Sequence, residues 1–314
     1  MKILITDGLD RTAVEILRKG NDVNMRDLDG KGLLAAIPEY QALVVRSRTK
    51  VTKEVLFRGA RLKVVGRAGV GVDNIDVDEA TVRKIVVVNA PTASTVSVAE
   101  LAIGHMISLL RHLPEADRSV KAGKWEKSKF EGRELFGKTL GLLGSGRIGA
   151  EVAKRAQAFG MPVIAHDPYL PKAAASAAGI RLVDKDALFR DADVLSIHAA
   201  LTPETRGLVG APELAKMRPN AILVNCARGE IVDERALAEA LRAKKISGAA
   251  IDVFATEPPS GSPLLEAPNV VFTPHLGAST SEGQSRAGAI VADQVLKVLA
   301  GKRPEFVVNP KVYG

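Results

Sequence analysis

Short apolar runs recur along the chain, and most are followed by a stretch in which apolar positions return every three or four residues. The first pattern fits strands buried on both faces and the second fits helices that cover them, so together they predict an α/β protein with parallel sheets. Strand candidates in the first region are 1–6, 42–45, 62–65 and 85–88; a second series, from Lys138 onward, has 139–143, 162–166, 194–198, 221–225, 248–253 and 270–273. Helices are predicted over 148–159, 233–243 and 281–299, and the segment 94–112 reads as a long buried helix because nearly all of it is small or apolar. Six parallel strands with intervening helices are what a complete dinucleotide-binding domain requires. The predicted organisation is a nucleotide-binding domain at 94–280 and a smaller, discontinuous substrate-binding domain combining 1–93 with 281–314, with a cleft between them.

A chain of 314 residues exceeds one comfortable core, which agrees with two domains. With 46% apolar and 25% charged residues the composition is globular, and with only 4% aromatics the cores must be aliphatic. No apolar run is long enough to span a bilayer. The N-terminal run is short and ends at Asp7, so it reads as a first strand and not as a signal peptide. The single cysteine, Cys226, cannot form an intrachain disulfide, and a cytoplasmic location is expected. Net charge is +8, and eight Lys or Arg residues between Arg46 and Arg67 face a single acid, Glu54. No nucleic-acid motif accompanies them, so no nucleic-acid or membrane partner is expected; a small anionic substrate accounts for the stretch, as would a solvated face.

The strand candidate 139–143 runs directly into Gly144-Ser145-Gly146-Arg147-Ile148-Gly149, where a helical pattern begins. In that setting Gly144 permits the turn, Gly146 lets backbone approach a pyrophosphate, and Gly149 lets the helix pack on the sheet. The helix start offers free N–H groups and a positive dipole end. Asp167 follows at the end of the next strand, 18 residues beyond Gly149. A carboxylate there suits the adenosine ribose hydroxyls and repels the extra phosphate of NADP, so the expected cofactor is NAD. These Rossmann-like features make both domains doubly wound in outline.

Three polar residues sit just past three consecutive strands: Arg228, Glu257 and His275. In an open parallel sheet such positions converge on one crevice. Oxidising a secondary alcohol needs a base for the hydroxyl proton, and an imidazole exchanges protons near neutrality. A carboxylate on its other nitrogen fixes the tautomer and stabilises the imidazolium, which suits Glu257. A substrate carboxylate needs a planar two-pronged donor, which suits Arg228. Singly, each has a plainer explanation: a surface arginine, a loop glutamate, and a histidine that caps the following helix. Together, after a nucleotide loop, they suit hydride transfer at C2 of a 2-hydroxy acid.

The segments VVRSRTKVT (44–52), VVGRAGVGVDNID (64–76), GKWEKSKFEGREL (123–135), GKTLGLLGSGRIG (137–149), VNCARGEIVDERAL (224–237), AAIDVFATEPP (249–259) and TPHLGAST (273–280) resemble the D-isomer-specific 2-hydroxyacid dehydrogenases over essentially the whole chain, and within them the branch that acts on 3-phosphoglycerate. That resemblance implies an NAD-dependent oxidation of 3-phospho-D-glycerate to 3-phosphohydroxypyruvate, the first step of serine biosynthesis. It implies Arg228, Glu257 and His275 as the catalytic set. It places Arg147 and Ile148 at the pyrophosphate and Asp167 at the ribose. Ala199, Cys226, Ala227, Asp252, Gly277 and Ala278 are placed along the rest of the cofactor, with Asp252 accepting from the carboxamide. Cys226 itself reads as a small packed residue. For the substrate, it implies a carboxylate cradle of backbone N–H groups at Gly69, Val70 and Gly71, with Asn74 and the pair Arg46-Ser47 nearby and Arg46 on the phosphate. Lys127 and Lys129 are candidates for added positive charge from a partner subunit. A homodimer, or else a tetramer, is expected, and no metal. The chain stops at Gly314, so it resembles forms without a C-terminal serine-binding domain, and inhibition by serine through such a domain is not expected. Val70 stands where some relatives have Thr. Glyoxylate, hydroxypyruvate, D-lactate or a sulfolactate-like acid as substrate, and an NAD-sensing corepressor, are the alternatives.

Overall fold

Runs such as Ala42-Leu43-Val44-Val45 and Leu140-Gly141-Leu142-Leu143 are buried along their whole length, as parallel strands covered on both faces must be. A computed structural model, which describes residues 1–314, arranges twelve strands in two parallel sheets. The chain divides into two units, Met1–Ser94 with Ala278–Gly314, and Thr95–Gly277.

The first unit contains β1 (Lys2–Ile5), β2 (Asp22–Met25), β3 (Ala42–Val45), β4 (Val64–Arg67) and β5 (Val86–Asn89), in the order β2-β1-β3-β4-β5. Side chains alternate between two cores. Ile3, Ile5, Val44, Val64 and Val88 meet helices Arg11–Arg18 and Ser281–Leu299 on one face. Leu4, Leu43, Val45, Val65 and Val87 meet Leu33, Ile37 and Leu56 on the other. The long last helix is capped at its start by Thr280, whose hydroxyl accepts from Gly283 N, so His275 is not needed as its cap. Beyond it the chain turns back to β5, where Val307 bridges Val88 and Asn309 bonds Val87 N and Ile85 O.

The second unit contains β6 (Leu140–Leu143), β7 (Val163–His166), β8 (Ile180–Leu182), β9 (Val194–Ile197), β10 (Ile222–Asn225), β11 (Gly248–Ile251) and β12 (Val270–Phe272). Their order is β12-β11-β10-β9-β6-β7-β8, the doubly wound arrangement, which reverses direction between β6 and β9. Helices Thr95–Leu110 and Arg147–Ala158 cover one face, and helices Lys185–Asp191 and Glu234–Arg242 the other. No single helix is long and apolar enough to cross a membrane.

The apolar pattern predicts four strands in the first region and six in the second, and the structure has five and seven. The two extra strands are β2, Asp-Val-Asn-Met, and β8, Ile-Arg-Leu, both at sheet edges. An edge strand is half solvated, so it lacks the continuous aliphatic run that reveals a central one.

Candidate active site

The strand β6 leads straight into Gly144-Ser145-Gly146 and helix Arg147–Ala158. Gly144 takes φ +84°, and a Cβ on it would lie 2.7 Å from Ala199 N, so only glycine fits between the loop and the end of β9. That contact sets the loop at the reversal of strand order, where ligands bind in such sheets. A Cβ on Gly146 would meet nothing within 4 Å, and no side chain caps the helix start. The turn therefore presents N–H groups to open space, a fit for a pyrophosphate. Arg147 is exposed beside it, Ile148 half-buried, and Gly149 packs so closely that a Cβ would stand 2.7 Å from Gly144 O. Asp167, just past β7, accepts from Ser145 N at 2.7 Å and from Tyr169 N at 2.9 Å. Its negative charge thus stands against the glycine loop. The hydroxyl of Ser145 is buried without a partner. These residues fit a dinucleotide.

Three loops at the ends of β10, β11 and β12 carry the polar set. His275 takes a left-handed backbone, φ 56°, and its Nδ1 lies 2.9 and 3.1 Å from the two carboxylate oxygens of Glu257. Glu257 also accepts from Phe254 N at 3.2 Å. With Nδ1 on the carboxylate, Nε2 is the nitrogen left for a substrate. The pair is half-exposed on the rim of a pocket of about 500 Å³ lined by Phe254, Pro258, Phe272 and Thr273. Arg228 begins the short turn Gly229–Ile231. Its carbonyl accepts from Asn225 Nδ2 at 2.9 Å, and its guanidinium donates to Ala227 O at 2.8 Å. A Cβ on Gly229 would stand 1.9 Å from the carbonyl carbon of Phe254, so the Arg228 and Glu257 loops are pressed together backbone to backbone. All three residues therefore belong to one cluster of adjoining strand ends.

Behind them lies Asp252, fully buried. Its carboxylate accepts from Leu276 N at 2.7 Å, Gly277 N at 2.9 Å and Thr273 Oγ1 at 2.5 Å, and its carbonyl accepts from His275 N at 2.8 Å. Asp252 thus builds the loop that carries His275. Burial pushes the Cys226 thiol well above its ordinary range, which leaves it a packed, unreactive group. Ala227 is half-buried and Ala278 exposed.

In the first unit the order of strands reverses between β1 and β3. Asp7 follows β1 and holds the loop after β3, accepting from Arg46 N at 2.7 Å, Thr49 N at 3.0 Å and Thr49 Oγ1 at 2.5 Å. These bonds outweigh desolvation and hold the Asp7 carboxyl below its usual value. Asn74 closes the loop from the other side, donating to Arg46 O at 2.8 Å and Thr49 O at 2.7 Å. Ser47 is exposed at the loop's tip. The carbonyls of Gly69 and Val70 are taken by Ala90 N and Asn89 Nδ2, while the N–H groups of Val70 and Gly71 take no part in the loop's backbone bonding. The basic stretch divides. Arg46, Arg48 and Arg67 lie at the C-terminal ends of β3 and β4, but Lys53 and Arg58 ride on helix Lys53–Arg58, and Arg61 and Lys63 precede β4 at its opposite end. Arg48 is spent on Asp27 and Asp7, with contacts of 2.7 and 3.4 Å. Lys127 and Lys129 lie on the short turn Lys127–Phe130, where Lys129 pairs with Glu126 at 2.5 Å.

Four residues with evident roles in these loops are not among the site candidates read from the sequence: Asp7, Thr49, Thr273 and His105, whose Nε2 is 3.0 Å from Thr273 Oγ1. For Asp7 a signal was available, since an acid directly after the first strand of a doubly wound sheet sits at its switch point.

A doubly wound sheet with a glycine loop at its reversal defines a dinucleotide-binding unit. Residues 103–277 match the family described as D-isomer specific 2-hydroxyacid dehydrogenase, NAD binding domain, and the chain belongs to that family. It is 52% identical over 311 residues to a D-3-phosphoglycerate dehydrogenase of Methanocaldococcus jannaschii, covering 98% of this chain and 59% of that protein. It is 48% identical over 312 residues to a D-3-phosphoglycerate dehydrogenase of Archaeoglobus fulgidus, with the same coverage of 98% and 59%. The chain thus spans about 59% of the length of these curated relatives. Among solved structures, a Thermus thermophilus protein at 36% identity superposes with a TM-score of 0.89, over 98% of this chain and 100% of that one.

Proposed function

We propose that this chain oxidises 3-phospho-D-glycerate to 3-phosphohydroxypyruvate with NAD, the step that opens serine biosynthesis. The observation that carries the reaction type is the His275 ring held by both oxygens of Glu257, at 2.9 and 3.1 Å. That pairing leaves Nε2 as the base for the C2 hydroxyl proton, and the carboxylate stabilises the imidazolium that results. Bound NAD supplies the acceptor for the C2 hydride. Arg228, beside the dyad, grips the substrate carboxylate with its planar fork. The glycine loop takes the cofactor's pyrophosphate, and Asp167 its adenosine ribose.

In the first unit, the uncommitted N–H groups of Val70 and Gly71 are assigned to the substrate carboxylate, and Arg46, with Ser47, to its phosphate. Arg46 is favoured over Arg48 because Arg48 is already paired with two aspartates. The choice of substrate is supported by the two relatives about half identical to this chain. The reading includes a homodimer. Helix Leu113–Lys121 buries none of its residues and exposes Leu113 and Val120, and Trp125 beyond it is 86% exposed, a surface suited to a second copy. A cytoplasmic setting suits the single free thiol.

The test is a substrate panel of phosphorylated and unphosphorylated 2-hydroxy acids, followed by NADH absorbance, on wild type and Arg46→Ala. Arg46→Ala should raise KM for 3-phosphoglycerate on the order of tenfold or more and leave D-lactate and D-glycerate little changed. Equal turnover of phosphorylated and unphosphorylated acids by wild type would remove the phosphate from the assignment. No turnover of any of them, with NAD still bound, would remove the enzyme.

A further inference from the structure

We infer that His105 is a positioning residue for the His275 loop, acting through the hydroxyl of Thr273 and the carboxylate of Asp252. The inference rests on the proposed role of His275.

His105 lies on helix Thr95–Leu110 and is 3% exposed. It has no place in the chemistry described above. Its Nε2 stands 3.0 Å from Thr273 Oγ1, which stands 2.5 Å from Asp252 Oδ1. The direction of these two bonds is fixed by what each group can do. A carboxylate that already accepts from two backbone N–H groups has no proton to give, so the hydroxyl proton of Thr273 points at Asp252. Thr273 then has only a lone pair for His105, so Nε2 of His105 must carry the proton. Burial holds the His105 imidazole below its ordinary pKa, against the opposing pull of Asp252, so the ring is neutral and has one N–H to place. It is placed on Thr273.

The consequence reaches the candidate base. Asp252 is the common acceptor for Thr273, Leu276 and Gly277, and its carbonyl takes His275 N. The carbonyl of Thr273 takes the same N–H at 3.0 Å. Four of the five residues 273–277 are thus bonded to one buried aspartate, and His275 keeps its left-handed backbone inside that wrapping. Without the donor at His105, the Thr273 hydroxyl is oriented by Asp252 alone and its bond to that carboxylate is weaker. The loop then loosens, and His275 drifts relative to Glu257.

The experiment uses His105→Leu, which removes the donor, His105→Gln, which keeps an N–H at similar reach, and Thr273→Val, which removes the hydroxyl with little change of shape. Hydrogen exchange of the segment 273–277 and steady-state kinetics are measured on each, and on the His105→Leu/Thr273→Val double variant. His105→Leu and Thr273→Val should each speed exchange at Leu276 and Gly277 on the order of tenfold. Each should also lower kcat on the order of tenfold, with KM for NAD little changed. His105→Gln should restore most of both. The double variant should be no worse than either single one, because both act through one bond. Additive losses, failure of His105→Gln to rescue, or faster exchange with unchanged kcat would each overturn the inference. Hydrogen exchange needs no substrate, so it still reports on the bond if the wild-type chain turns over no 2-hydroxy acid. That outcome would sink the functional reading and leave the wiring of the loop standing or falling on its own.

Discussion

His275 is held where an L-residue seldom rests, at φ 56°, by two acceptors on its backbone N–H and by the Glu257 carboxylate, which accepts from its ring Nδ1. A side chain fixed this firmly on a half-exposed site pays its ordering cost on folding, before any substrate arrives. Two substitutions separate its roles. His275→Ala should lower kcat on the order of a hundredfold or more with little change in NAD affinity, because it deletes the proposed base and leaves the glycine loop intact. Glu257→Gln keeps a hydrogen-bonding group and removes the charge that stabilises the imidazolium, so its loss of kcat should be smaller but clear. A Glu257→Gln rate equal to wild type would deny the carboxylate its electrostatic part. Asp167→Asn keeps an acceptor for Ser145 N and removes only the charge; preference for NAD over NADP, measured as a ratio of kcat/KM, should fall on the order of tenfold or more. At this scale the sequence shows which residue types stand past which strands, and it does not show their contacts. His105 is the plainest case. A single histidine on an apolar helix reads as core, and only the 3.0 Å contact to Thr273 gives it a task.

Between elements the decisive contacts are backbone to backbone. Gly229 has no room for even one more atom against Phe254, and Gly144 none against Ala199. Gly144→Ala combines that clash with an L-residue at φ +84°, so it should both destabilise the second unit and abolish NAD binding, read by thermal denaturation and by fluorescence titration with NADH. A variant that folds and binds NADH with wild-type affinity would mean the loop does not hold the cofactor. The fold class was legible here because the central strands are short, mostly aliphatic runs buried from end to end, with helical patterns between them. The edge strands β2 and β8 were not, since their residues alternate with solvent-facing polar ones over only three or four positions. The division of the basic stretch was equally hidden. Charge counted along the sequence cannot tell the C-terminal end of β3 from the N-terminal end of β4, although the sheet sets those at opposite edges.

At the level of the whole molecule, stability rests on aliphatic cores that cover both faces of each sheet, and the polar groups enclosed there are few. One half-buried histidine at the edge of that core should make the second unit sensitive to acid. His198 sits just past β9 with Nε2 on Ser196 Oγ at 2.8 Å and Nδ1 buried without a partner, and burial lowers its pKa from 6.5 to about 4. The unfolded chain therefore takes up this proton near pH 6.5 and the folded chain only near pH 4. Between those values the unfolded state binds more protons, so stability is full above the upper one and falls as pH drops toward the lower, with no further loss below it. At pH 5 this one group accounts for a loss of up to about 2 kcal/mol. Urea unfolding of wild type and His198→Asn at pH 7 and pH 5 isolates it, because His105 and every other titrating group is shared by the two proteins. Wild type should lose more stability than the variant on going to pH 5; equal losses would mean that the ring is hydrated in the folded state. The same comparison bears on the cofactor site. The residue after His198 is Ala199, whose backbone fixes Gly144, so a proton forced onto the ring in acid would strain the strand end that shapes the glycine loop. Affinity for NADH should then fall as pH drops toward about 4 in wild type, where the folded ring takes up its proton, and less steeply in His198→Asn.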